Sequence, residues 1–260
     1  MGIDGEVRVL VLALSLELEP WVTMELGQRQ TWAAARSPEI EVIWYRGHRP
    51  LKVWEPLRQR IASSQLGWRR QTKSFTSYIN GGLSLHCDVL EIPNIPESIK
   101  NTAIKLHVAL QWSLDNRDFD FIFRTNSSTY VDTQKLLRHV RNAPRSSYLA
   151  GVVGELNGAQ FPSGTGILMS RDVAAKLCAS GVLLTQTVDD VAVGGGAKSL
   201  GLEIQPIRRL DVSDCQAVLE LTELQTSETL FYRCKNSSNR GLGEQQTMAC
   251  LHRRLDAPSM

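Results

Sequence analysis

The chain has 260 residues, of which 42% are hydrophobic and 22% charged, with a formal net charge of +2. That length can bury a substantial core, and so slight a basic excess excludes a nucleic-acid binder identified by charge alone. The opening apolar run, Val7 to Leu16, is preceded by Asp4 and Glu6 and followed by Glu17 and Glu19. A secretory leader needs a basic start and a spanning helix needs about 20 apolar residues, so the run is neither.

The same run is short and rich in β-branched residues, which predicts a buried first strand. LGQRQTWAAAR predicts a helix with Pro38 beyond its end, and EIEVIWYRG a second strand closed by Gly47. Residues 48–80 are more polar and irregular; they hold Trp54, Trp68, Arg69, Arg70 and Lys73. LSLHCDVLEIP predicts a third strand, and PESIKNTAIKLHVALQWSLDN a helix with Ile104, Val108, Leu110 and Trp112 near helical spacing. FDFIFRT predicts a strand and DTQKLLRHVRNA a helix capped by Asp132. SYLAGVVG and GTGILMS predict strands, and RDVAAKLCASG a helix. DDVAVGGGAKSLG predicts a helix opening on two carboxylates, its middle weakened by three consecutive glycines. LEIQPI and TLFYRCK predict strands, and GEQQTMACLHRRL a closing amphipathic helix.

Strands separated by helices predict an α/β fold with a mixed, mostly parallel central sheet flanked by helices, in one domain over residues 1–260. Sites in such sheets form outside the carboxyl ends of the strands. The five cysteines, Cys87, Cys178, Cys215, Cys234 and Cys250, are odd in number and show no CxxC spacing. They predict free thiols in a reducing cytoplasm, with a Cys234–Cys250 bridge as the pairing to consider. No His and Cys stand at the short spacing of a zinc site.

Four stretches could carry chemistry. In FRTNSSTYVD, Arg124 ends a strand and could pair with phosphate through its planar fork, while Asn126, Ser127 and Ser128 offer uncharged donors and acceptors. A plain polar turn fits the same residues. In FPSGTGILMS, Gly164 and Gly166 let the backbone approach a ligand or a neighbouring segment closely; a bulge or tight corner is the structural alternative. In TVDDVAVGGG, Asp189 and Asp190 either cap a helix or supply a general base, since an adjacent like charge raises one carboxyl pKa. Arg233, Lys235 and Arg240 cluster before the last helix, as a solvated face or as a diphosphate site. VGGGAKSLG lacks the spacing of a phosphate-binding P-loop.

Taken in order, GQRQTW, IKNTAIKLHVALQW, FDFIFRTNSSTYVD, FPSGTGILMSRDVA, DDVAVGGGAKSLGL and FYRCK resemble the inverting β-1,3-glycosyltransferase superfamily. That superfamily includes the β-1,3-galactosyltransferases and Fringe and is built on the GT-A fold, a Rossmann-like sheet. Its Arg-x-Thr-Trp element is matched by Arg29-Gln30-Thr31-Trp32 and its Asn-Leu-Thr-x-Lys-Thr helix by Asn101 to Lys105. The resemblance spans roughly residues 7 to 255 and fits residues 48–80 least, which become a variable insertion on the acceptor side. Six weak motifs in the right order, each on the element the fold requires, reinforce one another.

The resemblance implies transfer of a sugar from a nucleotide-sugar donor, a UDP-sugar by family habit, to an acceptor hydroxyl with inversion. Asp190 becomes the general base and Asp189 its orienting or capping neighbour. Donor binding falls to the end of the first strand at Ser15, to Arg29, Thr31 and Trp32, and to Lys105, Arg124, Thr125, Asn126, Ser127, Ser128, Arg233 and Lys235. Phe161, Ser163, Gly164, Thr165 and Gly166 form the acceptor-side floor.

One departure matters most. The family's DxD carboxylates, which bind a divalent metal, are replaced here by Asn126-Ser127-Ser128. Hard cations want anionic oxygens, so no metal ligand is assigned and Mn or Mg dependence is expected to be weak or absent. A metal held by donor phosphates and a residue such as Asp132 is the alternative. Opposing charge would come from Arg124, Lys105, Arg233, Lys235 or Arg240. The family's membrane anchor has no counterpart before the first strand, which predicts a soluble, cytoplasmic bacterial or viral member or an excised domain. Two other readings compete. One is a non-catalytic module that binds a nucleotide sugar or glycan. The other is transfer to a hydroxylated nucleic-acid base, with Trp68, Arg69, Arg70 and Lys73 stacking on bases and meeting phosphates.

Overall fold

The computed structural model describes residues 6–34, 37–48 and 83–256. Trp54, Trp68, Arg69, Arg70 and Lys73, and with them the nucleic-acid reading and most of the predicted insertion, lie outside the described residues.

The first strand, β1 (Val9–Leu14), is buried along its whole length. Its alternate side chains enter two different cores: Leu10, Leu12 and Leu14 on one face, Val9 and Val11 on the other. A strand buried on both faces reads as a continuous apolar run, which is why VLVLAL carries no polar alternation. Helix α1 (Trp21–Gln30) follows, then β2 (Ile40–His48), which pairs parallel with β1.

The predicted third strand is two strands, and this is a correction. β3 (Ser84–His86) and β4 (Val89–Pro96) form an antiparallel hairpin, with Leu85 opposite Leu90. The chain reverses at Cys87, a non-glycine residue at φ 57°. Nothing in HCD marks such a turn by its usual Asn-Gly or Asp-Gly chemistry.

A short 3-10 turn (Ile99–Asn101) leads into α2 (Thr102–Asn116). β5 (Phe121–Asn126) pairs parallel with β1 on the side away from β2. Then come β6 (Thr129–Val131) and α3 (Thr133–Asn142). Asp132 caps α3 as expected, accepting a hydrogen bond from the Lys135 N–H at 3.0 Å. β7 (Leu149–Leu156) and β8 (Ala159–Ser170) are an antiparallel hairpin turning at Asn157 and Gly158, both at positive φ. Asn-Gly is the residue pair such a turn favours.

Helices α4 (Arg171–Ser180) and α5 (Asp189–Ser199) pack on the first core, and β9 (Ile204–Pro206) pairs with β7. β10 (Arg209–Val212) precedes two short helices, α6 (Cys215–Leu219) and α7 (Glu223–Ser227). The periodicity reading gave neither, because five residues are too few to show a face. Their caps carry them: Asp214 accepts from the Ala217 N–H at 2.9 Å, and Thr222 and Gln225 form a capping box. β11 (Phe231–Cys234) and α8 (Leu242–Leu255) complete the chain.

The main sheet runs β3-β4-β2-β1-β5-β8-β7-β9, and a second sheet runs β10-β11-β6. The expected mixed α/β class, with a mostly parallel centre flanked by helices, is what the chain adopts. The path leaves β1 toward β2 and β4 and returns on β1's other side as β5. The switch point, where ligand crevices open in such sheets, therefore lies between β1 and β5. Phe121 and Phe123 of β5 are buried in the second core with Tyr130, Phe231 and Met248. Burying one such ring contributes about 1.5–3 kcal/mol.

The cysteines correct the all-thiol expectation. Cys215 and Cys250 are disulfide-bonded, joining α6 to α8. Cys234, the partner considered from sequence, is a buried free thiol on β11, and Cys87 and Cys178 are also free. A formed bridge removes the argument for a reducing compartment. Among the described residues, no helix is long and apolar enough to cross a membrane.

Candidate functional site

The site begins where β1 and β5 end. Asn126 and Leu14 are register partners at those ends. Beyond Asn126 the chain makes a tight turn held by the Asn126 side chain. Its Oδ1 accepts from the Ser128 N–H at 3.1 Å, the Ser128 hydroxyl at 2.9 Å and the Thr129 hydroxyl at 3.1 Å. Ser127 is buried, its hydroxyl 3.8 Å from the Met24 sulfur. The polar turn and the candidate site are thus the same residues.

A platform from α1 holds this turn from below. Gln28, fully buried, donates to the carbonyls of Asn126 at 2.8 Å and Thr129 at 3.1 Å. Its own oxygen accepts from the Trp44 indole at 3.1 Å. The Trp32 indole donates to the same Thr129 carbonyl at 3.1 Å, and the Thr31 hydroxyl bonds back to Gly27. Arg29 lies over the Trp44 ring, 3.7 Å from its centroid, and forks onto Asp88 at 2.7 and 3.0 Å. Glu25 joins Arg29 to the buried hydroxyl of Ser15. Gln28 was not singled out from sequence; a glutamine on a helix carries no signal of burial. Its position inside GQRQTW, beside the matched Arg29, Thr31 and Trp32, was the available hint.

The acidic pair divides. Asp189 is buried and ion-paired with the buried guanidinium of Arg124. Arg124 also donates to the Tyr45 hydroxyl at 3.2 Å and to the Gly164 carbonyl. Burial opposes the Arg124 charge, but Asp189 and Tyr45 outweigh it and hold the guanidinium above its ordinary range. Asp190, one residue on, is only partly buried. Its carboxylate accepts from the Gly164 N–H at 3.2 Å and the Val191 N–H at 2.8 Å. Burial, reinforced by the Asp189 charge, raises the Asp190 pKa above the usual carboxylate range; the Gly164 N–H and Arg124 pull the other way. Neither aspartate is the helix N-cap, which is Val188.

Lys105 is buried against Glu97 at 2.5 Å. It and Arg124 therefore stand in internal ion pairs. Arg233 stands in register with Thr129 and is about one-third exposed, 3.7 Å from Asp211. Lys235 is exposed one residue beyond β11, and Arg240 pairs with Glu244 at 2.7 Å.

β8 supplies the remaining wall. Thr165 offers its carbonyl to the hydroxyls of Thr125 at 2.8 Å and Thr129 at 3.0 Å, knitting this wall to the turn. A Cβ on Gly164 would lie 2.6 Å from Arg124 Nη1 and 3.3 Å from Asp190 Oδ2, so a side chain there would displace the guanidinium. Phe161 packs on Gly194 of α5. The fold thus brings together the turn, the β8 wall, the acidic pair and Arg233, while Ser15 and Arg29 are joined to each other through Glu25.

The side chains present fit a divalent cation poorly. Asn126 Oδ1 already takes three donors, and Asp132 is bound to the Lys135 N–H and, at 2.5 Å, the Lys135 ammonium. Among the described residues no group of three or more His, Cys, Asp or Glu could hold a metal.

No protein-family model matches the sequence, and no curated protein matches it. Solved structures are similar to it at TM-scores below 0.5. The glycosyltransferase GlyE of Streptococcus pneumoniae TIGR4 shares 11% identity over 90% of this chain and 56% of its own, at a TM-score of 0.42. Its apo form gives 11%, 90%, 55% and 0.45. The apo structure of the bifunctional glycosyltransferase WbbM gives 9%, 91%, 46% and 0.40. The chain spans about half the length of these structures.

Proposed function

We propose that the chain is a GT-A-like glycosyltransferase moving a sugar from a nucleotide-sugar donor, read as a UDP-sugar, to an acceptor hydroxyl with inversion. The observation that carries the reading is the division of the acidic pair. Asp189 is neutralised inside by Arg124, leaving Asp190 partly open at the mouth of the sheet with a raised pKa. A carboxylate so placed is a general base nearer the working pH than an ordinary aspartate.

In the proposed step Asp190 takes the acceptor hydroxyl proton as the oxygen attacks the anomeric carbon. The bond from that carbon to the diphosphate breaks, and its electron pair leaves with the nucleoside diphosphate. Arg233, about one-third exposed on β11, and the exposed Lys235 just beyond it are the cations assigned to meet the charge that develops there. With Asn126 and Ser128 engaged in their own turn and Ser127 buried against Met24, transfer is expected to depend on a metal weakly or not at all.

The test is Asp190→Asn, offered a panel of nucleotide sugars and acceptors, with nucleoside diphosphate release and sugar transfer measured separately. Transfer is expected to disappear while the donor still raises the melting temperature. Transfer at near the parent rate would remove Asp190 as base. Activity that vanishes in EDTA and returns with Mn would overturn the metal-independent reading.

A further inference from the structure

Arg209 carries no motif, yet it sits at the junction of the two halves of the site. Its side chain, 16% exposed, leaves β10 and forks. One branch binds Asp211, Nε at 2.6 Å and Nη2 at 3.3 Å. The other, Nη1, donates to the Ser163 hydroxyl at 3.1 Å and the Thr165 hydroxyl at 2.9 Å. Those hydroxyls are 3.2 Å apart and bracket Gly164, whose N–H holds Asp190. On the far side, Asp211 reaches Arg233, which lies in register with Thr129.

We infer that Arg209 is a positioning residue for the proposed transfer: its guanidinium clamps the 163–165 segment that orients Asp190 and, through Asp211, keeps Arg233 beside the Asn126–Thr129 turn. This rests on the reading of Asp190 as base. Arg209 touches no reacting atom. A lysine keeps the charge but lacks the planar fork that serves two hydroxyls and a carboxylate together.

The groups facing Asp190 are Asp189 and the Val191 N–H on its own helix, Arg124 from β5 and the Gly164 N–H from β8; Thr102 of α2 meets the Asp189 N–H at 3.2 Å. Of these, only the Gly164 N–H is held by residues that Arg209 binds. That bond lowers the Asp190 pKa, so loosening it raises the pKa further and moves the acid limb of the pH–rate profile to higher pH.

The experiment compares the full parent chain with Arg209→Gln and Arg209→Lys, and with Ser163→Ala combined with Thr165→Val, which removes the acceptors and leaves the arginine. Readouts are the melt, an NMR titration of the Asp190 carboxyl, and kcat and KM for the donor. In Arg209→Gln, kcat is expected to fall on the order of tenfold or more with a smaller rise in KM. The Asp190 titration should move up, and Arg209→Lys should restore only part. The double variant should move the titration the same way, and answers the question should Arg209→Gln not fold. A folded variant in which Asp190 titrates and turns over as in the parent overturns the inference alone. A parent chain that binds no UDP and transfers no sugar overturns the functional reading and this inference with it.

Discussion

Arg124 and Asp189 form an ion pair in the interior, each side chain at most 5% exposed, between the end of β5 and the first turn of α5. It joins the strand that ends in the polar turn to the helix that carries the proposed base. It also distinguishes the adjacent carboxylates: Asp189 is a structural counter-ion, and Asp190 is the proposed base.

Removing one member of that pair leaves a buried charge without its partner. Asp189→Asn or Arg124→Met should destabilise the chain by about 3–5 kcal/mol, read from urea denaturation. The double variant should recover a large part of that loss. Equal losses in single and double variants would show that the pair contributes nothing specific.

Asp190 should behave in the opposite way. Its folded pKa is raised above the unfolded value, so the folded state favours its protonated form. The stability this confers is fully present below the unfolded pKa and is lost as pH rises through the folded pKa. Asp190→Asn should therefore be neutral or stabilising at pH 7 while removing transfer. Melting curves of parent and variant, compared from acidic to neutral pH, should diverge in favour of the variant as pH rises.

The three glycines of α5 should differ. A Cβ at Gly194 would lie 2.4 Å from the Gln160 carbonyl and 2.7 Å from Phe161 Cβ. Gly194→Ala should cost about 1–3 kcal/mol and separate α5 from β8. At Gly195 the nearest atom is 3.9 Å away, so Gly195→Ala should stabilise by about 0.5–1 kcal/mol through helix propensity. Identical melting shifts for the two would contradict the packing account.

The Cys215–Cys250 bridge closes a loop with a sequence separation of 35. On the chain-entropy account it contributes about 3–4 kcal/mol. Reduction, or Cys215→Ser with Cys250→Ser, should lower the melting temperature without altering the thiol count attributable to Cys87, Cys178 and Cys234. Labelling of five thiols in the untreated folded chain would show that no bridge forms.

The order of strands and helices was largely legible because a continuous apolar run such as β1 marks a buried strand and an amphipathic element such as α3 carries a strong helical period. The hairpin at Cys87 and the short helices α6 and α7 were not, since each depends on one turn or cap and not on a repeat. The candidate site shows the same division. Asp190 and the Asn126 turn could be named from their motifs. Gln28 and Arg209 could not, because a buried glutamine and a forked arginine look like ordinary surface residues until their partners are known.

By itself the sequence determined most of the longer strands and helices, that the first strand is buried, and that polar residues gather after β5; β6, β10, α6 and α7 were not among the elements it marked. Side-chain periodicity and local turn chemistry act over a few residues and can be read along the chain. Only the tertiary structure decided which charges are neutralised. Arg124 meets Asp189, Lys105 meets Glu97, and Arg209 binds Ser163, Thr165 and Asp211. Most of these partners are distant in sequence and are set by sheet order and register, so whether a cation is free for a ligand or held inside the fold depends on which strand lies next to which.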